Sequence, residues 1–418
     1  MLRSVHALPT PIGNYVRPTR RDQRLMLNLL GEDRLPLSGL VIDPVLWDVH
    51  EELSREAANQ GMEIILDSQA LELSTPAGFD RTGLSNLPWA GQRPHEPSDL
   101  QGDGGRVLVQ GILDFAEGKP FSGYLSPAHF LGGTDSEWLD VDIEMAHRMR
   151  RELDDRGAHD KLLYFPLIVH TEVLRSAGFR RRIVERLRNV HIDGLWVKAH
   201  PFGTTNSGPL ALRRYIEACR DFHALDIPLI GDRTGTVGVA LAAFGAVGGI
   251  EAGLTLGERF DVVTLMRPRN GKAFAPPPRV YLREIGAFVS RKQAQQFFGQ
   301  RGMKPAFGCQ QDGCCRRGVI DMIADPRRHF VLSRGRELEY LSSMPEPLRA
   351  GRYLEQHLRP ATDLAVRATR ALPSLERHRR RLDGWREALG SLHQSDEVSA
   401  ITYSGAPDGS RKVRHIDA

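Results

Sequence analysis

The sequence predicts an α/β protein built on a (β/α)8 barrel of the TIM type, and three observations predict it. Short uninterrupted apolar runs alternate with amphipathic stretches of helical period from residue 40 to about residue 254. Strands that are apolar on both faces belong in a parallel sheet covered by helices. Roughly seven or eight such units over this length favour a closed barrel, and no glycine fingerprint of the dinucleotide type follows the first strand to suggest an open sheet.

Taken in order, residues 1–37 are rich in Pro and Arg, have no clear period and read as an N-terminal arm. The barrel is expected over 38–300. Leu40-Val41-Ile42-Asp43 reads as a strand, Val45 to Gln60 as a helix, and Glu63-Ile64-Ile65-Leu66-Asp67 as a second strand. Ser74 to Gly105, with many Pro, Gly and Asp, reads as a long loop of the kind that forms lids or binding elements. Helix from Val107 to Glu117 then leads to a strand near Tyr124-Leu125 and a helix from Asp140 to Asp155. Strands follow at Leu162 to Val169, Gly194 to Ala199, Ile227 to Ile230 and Ile250 to Leu254, separated by helices Phe179 to Asn189, Leu210 to Ala224 and Thr236 to Val247. Beyond the barrel, a Cys/His segment is expected over 301–345, a basic helical region over 346–403 and a disordered tail over 404–418.

The bulk numbers narrow the function classes. With 418 residues and a net charge of +4 the chain buries a large core and is no polycation. Its basic residues are mostly arginine, a better fork for phosphate than lysine, and they cluster late in the chain. Four cysteines are too few and too clustered for a disulfide scaffold, and the start lacks an apolar secretory core, so a reducing, cytoplasmic setting is expected. The weakly polar run Val237 to Gly257 is broken by glycines and Glu251, and no membrane span is expected. A homodimer is compatible with these numbers.

In such a barrel the site lies where the strands end. Reading off the strand ends gives Asp43, Asp67, Ser126, His170, Lys198, His200, Asp232, Arg233, Glu251 and Asp261. Asp261 is followed closely by Arg267, Arg269 and Lys272, a carboxylate able to attack or shield a cationic carbon beside cations able to hold phosphate oxygens. Cys309, Cys314, Cys315 and His329 offer three thiols and an imidazole, the donor set of a closed structural zinc site.

The order Phe260-Asp261-x-Val263, then Arg267, then Arg269-Asn270-Gly271-x-Ala273-Phe274 is similar to the nucleophile segment of the tRNA-guanine transglycosylase family, which includes paralogues acting on DNA. The resemblance implies a barrel in which Asp261 displaces a base from its ribose; Glu251, in Gly249-Ile250-Glu251, is the alternative acid for that role. Asp67-Ser68 resembles the family's Asp-Ser-Gly-Gly element, whose Asp does acid/base work, with Gln69 and Ala70 standing where the family has glycines. His170, Lys198, His200, Asp232 and Arg233 then fall where the base and sugar would be held, and the family's three-Cys, one-His zinc site falls at the cysteine segment.

The expected activity is therefore cleavage of an N-glycosidic bond in nucleic acid, DNA being favoured, with base exchange or base excision as outcome. A DNA glycosylase removing a modified base in defence against foreign DNA is one alternative. A barrel lyase using Lys198 as a Schiff base is another, and a non-catalytic, zinc-stapled nucleic-acid-binding protein is the third.

Overall fold

The computed structural model describes residues 11–204, 207–255, 257–267 and 276–395. The strands run β1 (Gly13–Val16), β2 (Gly39–Ile42), β3 (Glu63–Asp67), β4 (Gly123–Leu125), β5 (Phe130–Leu131), β6 (Leu162–His170), β7 (Gly194–His200), β8 (Phe202–Gly203), β9 (Leu229–Gly231), β10 (Gly249–Ala252), β11 (Arg259–Phe260), β12 (Val280–Leu282) and β13 (Ala287–Val289). Eight of them close a parallel ring in the order β1-β2-β3-β4-β6-β7-β9-β10, and β10 returns to β1 with Gly13 opposite Gly249 and Val16 opposite Ala252. The protein is a (β/α)8 barrel. β5 extends the rim beside β6, β8 and β11 form a small antiparallel pair, and β12 and β13 form a hairpin beyond the barrel.

Two expectations need correcting. The barrel starts inside the stretch read as an arm: β1 is Gly-Asn-Tyr-Val, lying between Pro11 and Pro18 and too short to show a period, and it is held by ladders on both sides. Asp261, for its part, does not end a barrel strand. The eighth strand is β10, which carries Glu251, and Asp261 follows β11, two residues long and paired with β8 above the ring.

Tyr15, Val41, Ile65, Leu125, Tyr164, Trp196 and Ile230 fill the barrel interior, with the Trp196 ring 5.2 Å from Tyr15 and 5.7 Å from Tyr164. Each such buried apolar side chain contributes about 1.5–3 kcal/mol. A plugged interior leaves the open end as the place for chemistry.

Helices 47–59, 103–116, 138–155, 177–187 and 209–222 sheathe the ring. Helix 237–243 is buried on every face because helices 326–342 and 346–353 cover it, which accounts for the apolar run there. No described helix is long and apolar enough to cross a membrane. The long loop from residue 74 contains short helical turns and is pinned to the mouth: Trp89 Nε1 donates to the Ser68 carbonyl at 2.9 Å, and Arg81 bonds both Asp43 and Gln69.

The C-terminal helix 376–395 packs on helix 209–222 and donates from Trp385 Nε1 to the Ser207 carbonyl at 2.9 Å. Its arginine run is largely spent on neighbours one turn away: Arg379 and Arg380 pair with Glu376, and Arg379 with Asp383.

Candidate active site

Five ionisable side chains meet at the C-terminal end of the ring. Arg17 follows β1, Asp67 ends β3, Lys198 sits near the end of β7, Asp232 follows β9 and Glu251 lies on β10. The Arg17 guanidinium bonds Asp67, and its Nε lies 3.5 Å from Glu251 Oε1. Lys198 Nζ is 2.9 Å from Asp232 Oδ2, and the Asp232 carboxylate stands beside Glu251. Two residues just past these carboxylates hold left-handed backbone although neither is glycine: Gln69 at φ 58° and Arg233 at φ 53°. Each uses that geometry to aim its N–H at an acid, Gln69 at Asp67 Oδ1 (2.9 Å) and Arg233 at Glu251 Oε2 (3.0 Å). Backbone strain of this kind concentrates where a site must be held in one shape.

The cluster separates its acids by charge. Burial alone would raise Asp232, but Lys198 and Arg17 outweigh it and hold this carboxyl at about 2. Asp67 is likewise buried, yet Arg17 and Lys198 keep it below the ordinary carboxylate range. Glu251 goes the other way: burial and the adjoining Asp232 carboxylate push it up to about 8. The two neighbouring carboxyls are thus pushed in opposite directions, the division of labour that lets two acids play two roles.

Around this floor runs a rim of different character. Asp261 Oδ1 lies 3.7 Å from His200 Nδ1, and that nitrogen accepts the Val262 N–H at 3.1 Å. The Asp261 side chain is 29% exposed against 1% for Glu251, so the rim carboxylate is the reachable one. His170 and His200 meet edge to face at 5.6 Å, and Phe130 and Phe260 flank His200. Leu71, Ala128, Ile168, Phe260 and Val262 form an apolar patch with Phe130 and Leu265, separate from the main core. Arg267 begins the basic segment, whereas Arg269 and Lys272 lie outside the described residues.

Of the residues expected at the site, the structure gathers Asp67, Lys198, Asp232, Arg233 and Glu251 into the floor and His170, His200 and Asp261 onto the rim. The residue the sequence reading missed is Arg17. Its only signal was a lone Tyr-Val-Arg-Pro between two prolines.

A second cluster stands apart. The ligand atoms of Cys309, Cys314, Cys315 and His329 all lie within 4.8 Å of one another and can hold a metal ion. The Sγ atoms of Cys314 and Cys315 are 3.6 Å apart, and they lie 3.6 and 3.5 Å from His329 Nδ1. Donors about 2.0–2.3 Å from one tetrahedral ion fall at about this mutual spacing. His329 Nε2 faces the Tyr281 carbonyl at 3.1 Å, which assigns the proton to Nε2 and leaves Nδ1 free to ligate.

No protein-family model and no curated protein matches this chain. Solved structures similar to it include the endo-1,4-beta-xylanase XylE of Penicillium canescens (11% identity, 57% of this chain and 81% of the xylanase, TM-score 0.36) and xylanase 10B of Thermotoga maritima (13%, 59% and 83%, 0.35). A third is the carboxyl transferase domain of Rhizobium etli pyruvate carboxylase (12%, 92% and 61%, 0.37). Likeness at this level carries no argument about substrate or chemistry, and the barrel stands on its own strand ladder.

Proposed function

We propose that the protein cleaves the N-glycosidic bond of a base in nucleic acid, with the base seated on the charged floor and the sugar facing the rim. What supports this reading is Glu251, which burial and the Asp232 carboxylate push up to about 8, at the same barrel mouth as the more exposed carboxylate of Asp261. Departure of a base needs a proton for the leaving nitrogen and a negative group for the cationic anomeric carbon, and the mouth supplies both.

In this mechanism Asp261 attacks C1′ and the C1′–N bond breaks with its electrons going to the base. Glu251 delivers the proton. A second base or water then takes C1′ from Asp261, giving exchange or excision. The proton role expected of Asp67 passes to Glu251, because the Arg17 guanidinium keeps Asp67 charged. The resemblance to tRNA-guanine transglycosylases supports the same assignment for Asp261, and Gln69, standing where that family has glycine, holds left-handed backbone here. A base stacked in a duplex cannot enter such a mouth, so the substrate is single-stranded or flipped. DNA is favoured over tRNA, and the ion at the Cys3His cluster is assigned as structural zinc, the metal for which that donor set is typical.

The test is incubation of labelled single-stranded DNA and RNA with and without a free deazaguanine, followed by mass spectrometry of the polymer. Incorporation means exchange and an abasic product means excision, and Asp261→Asn should abolish either. Full activity in Asp261→Asn removes the nucleophile assignment; no base change in any polymer removes the reading.

A further inference from the structure

A pocket of about 190 Å³ lies on the flank of the barrel, outside the site just described. Three segments converge on it: the turn after β12, which carries Arg283; helix 326–342, which carries Arg336 and Tyr340 one turn apart; and the wide turn 354–358, which carries Gln356 and His357. Among the described residues neither Arg283 nor Arg336, both half-buried, has an ion-pair partner, whereas Arg17, Arg81, Arg180 and Arg334 each pair with an acid. Arg336 Nη1 is fully buried and meets no acceptor. The acid in the wall, Glu337, is already taken, accepting from Tyr281 OH at 2.9 Å and Arg334 Nε at 2.9 Å. Tyr340 OH is turned onto Gln356 Oε1, so the Gln356 amide NH2 remains as a further donor.

Buried N–H groups without an acceptor are costly, and in folded proteins they mark an absent water or ion. Two planar guanidiniums lining one small cavity offer the donor chemistry that suits a tetrahedral oxyanion. We infer that Arg283 and Arg336 form a binding site for a phosphate group, with Gln356 as a supporting donor. The site stands independently of the reading of the barrel mouth. The phosphate belongs either to a small phosphorylated compound or to a nucleic-acid backbone, and the two sources share the same recognition chemistry.

The test compares thermal unfolding of the full chain in inorganic phosphate and in chloride at equal ionic strength, for the unaltered protein and for Arg283→Gln/Arg336→Gln. Phosphate should raise the Tm of the unaltered protein by several degrees more than that of the double variant, and Arg283→Lys/Arg336→Lys should keep part of the difference. Equal responses overturn the site. If the double variant does not fold, phosphorus NMR of the unaltered protein decides instead, since line broadening that fails to saturate with phosphate is equally fatal. The salt dependence of single-stranded oligonucleotide binding identifies the source. A backbone phosphate predicts a slope in log K against log salt shallower by roughly 0.7 per lost contact in the Gln variant; an unchanged slope beside a retained phosphate response identifies a free phosphate compound.

Discussion

Glu251 concentrates the electrostatics of the mouth in one side chain. Because its folded value is raised to about 8, the folded protein binds a proton there that the unfolded chain has released. The stability that goes with this proton is fully present below the ordinary glutamate range and is lost as pH rises toward about 8. Activity should follow the same limb: kcat/KM should fall tenfold per pH unit above about 8, since the acid form is then depleted. Glu251→Gln keeps shape and neutrality but has no proton to give, so kcat should drop about 10²–10⁴-fold with the alkaline limb gone. A pH–rate profile that keeps that limb in Glu251→Gln would exclude Glu251 as the acid. Asp67, Asp232 and Glu251 were legible in the sequence because each ends an apolar run. Their division into charged and neutral acids was not, since it depends on Arg17 and Lys198 arriving from other strands.

A line of contacts ties the Cys3His segment to the mouth. His329 bonds the Tyr281 carbonyl, Tyr281 OH donates to Glu337, Arg334 bonds Glu337, and Arg334 Nη1 donates to the Gly235 carbonyl at 2.9 Å. Gly235 belongs to the turn that starts with Asp232 and has a φ of 61°, where a Cβ would strike Thr204 Oγ1. Helix 326–342 thus carries a candidate metal ligand near one end and a clamp on the turn after β9 in its middle. Removing the metal with a chelator should therefore cost activity and lower the Tm while far-UV circular dichroism still reports the barrel helices. Unchanged Tm after complete chelation, verified by metal analysis, would show that the four ligands do not hold a structural ion. The donor set could be read from the sequence, as three cysteines followed by His329. The contact line could not, because Tyr281, Arg334 and Gly235 are ordinary residues until packing places them together.

The whole molecule is a ring whose alternation of apolar strands and amphipathic helices is a strong local signal, and seven of its eight strands were legible for that reason. β1 was not: Gly13–Val16 becomes a strand only through its two neighbours. The core inside the ring should be correspondingly intolerant of truncation. Trp196→Ala should cost about 3–5 kcal/mol in urea unfolding, and a loss below about 1 kcal/mol would mean the interior is not packed as described. The seam between β1 and β10 also sets a clock during synthesis. At roughly 5–20 residues per second the ribosome adds β10 on the order of ten seconds or more after β1, so Arg17 and Glu251 stay apart throughout that interval. A nascent chain thus has no assembled barrel mouth, and the charged floor comes into being only with the last closure of the ring.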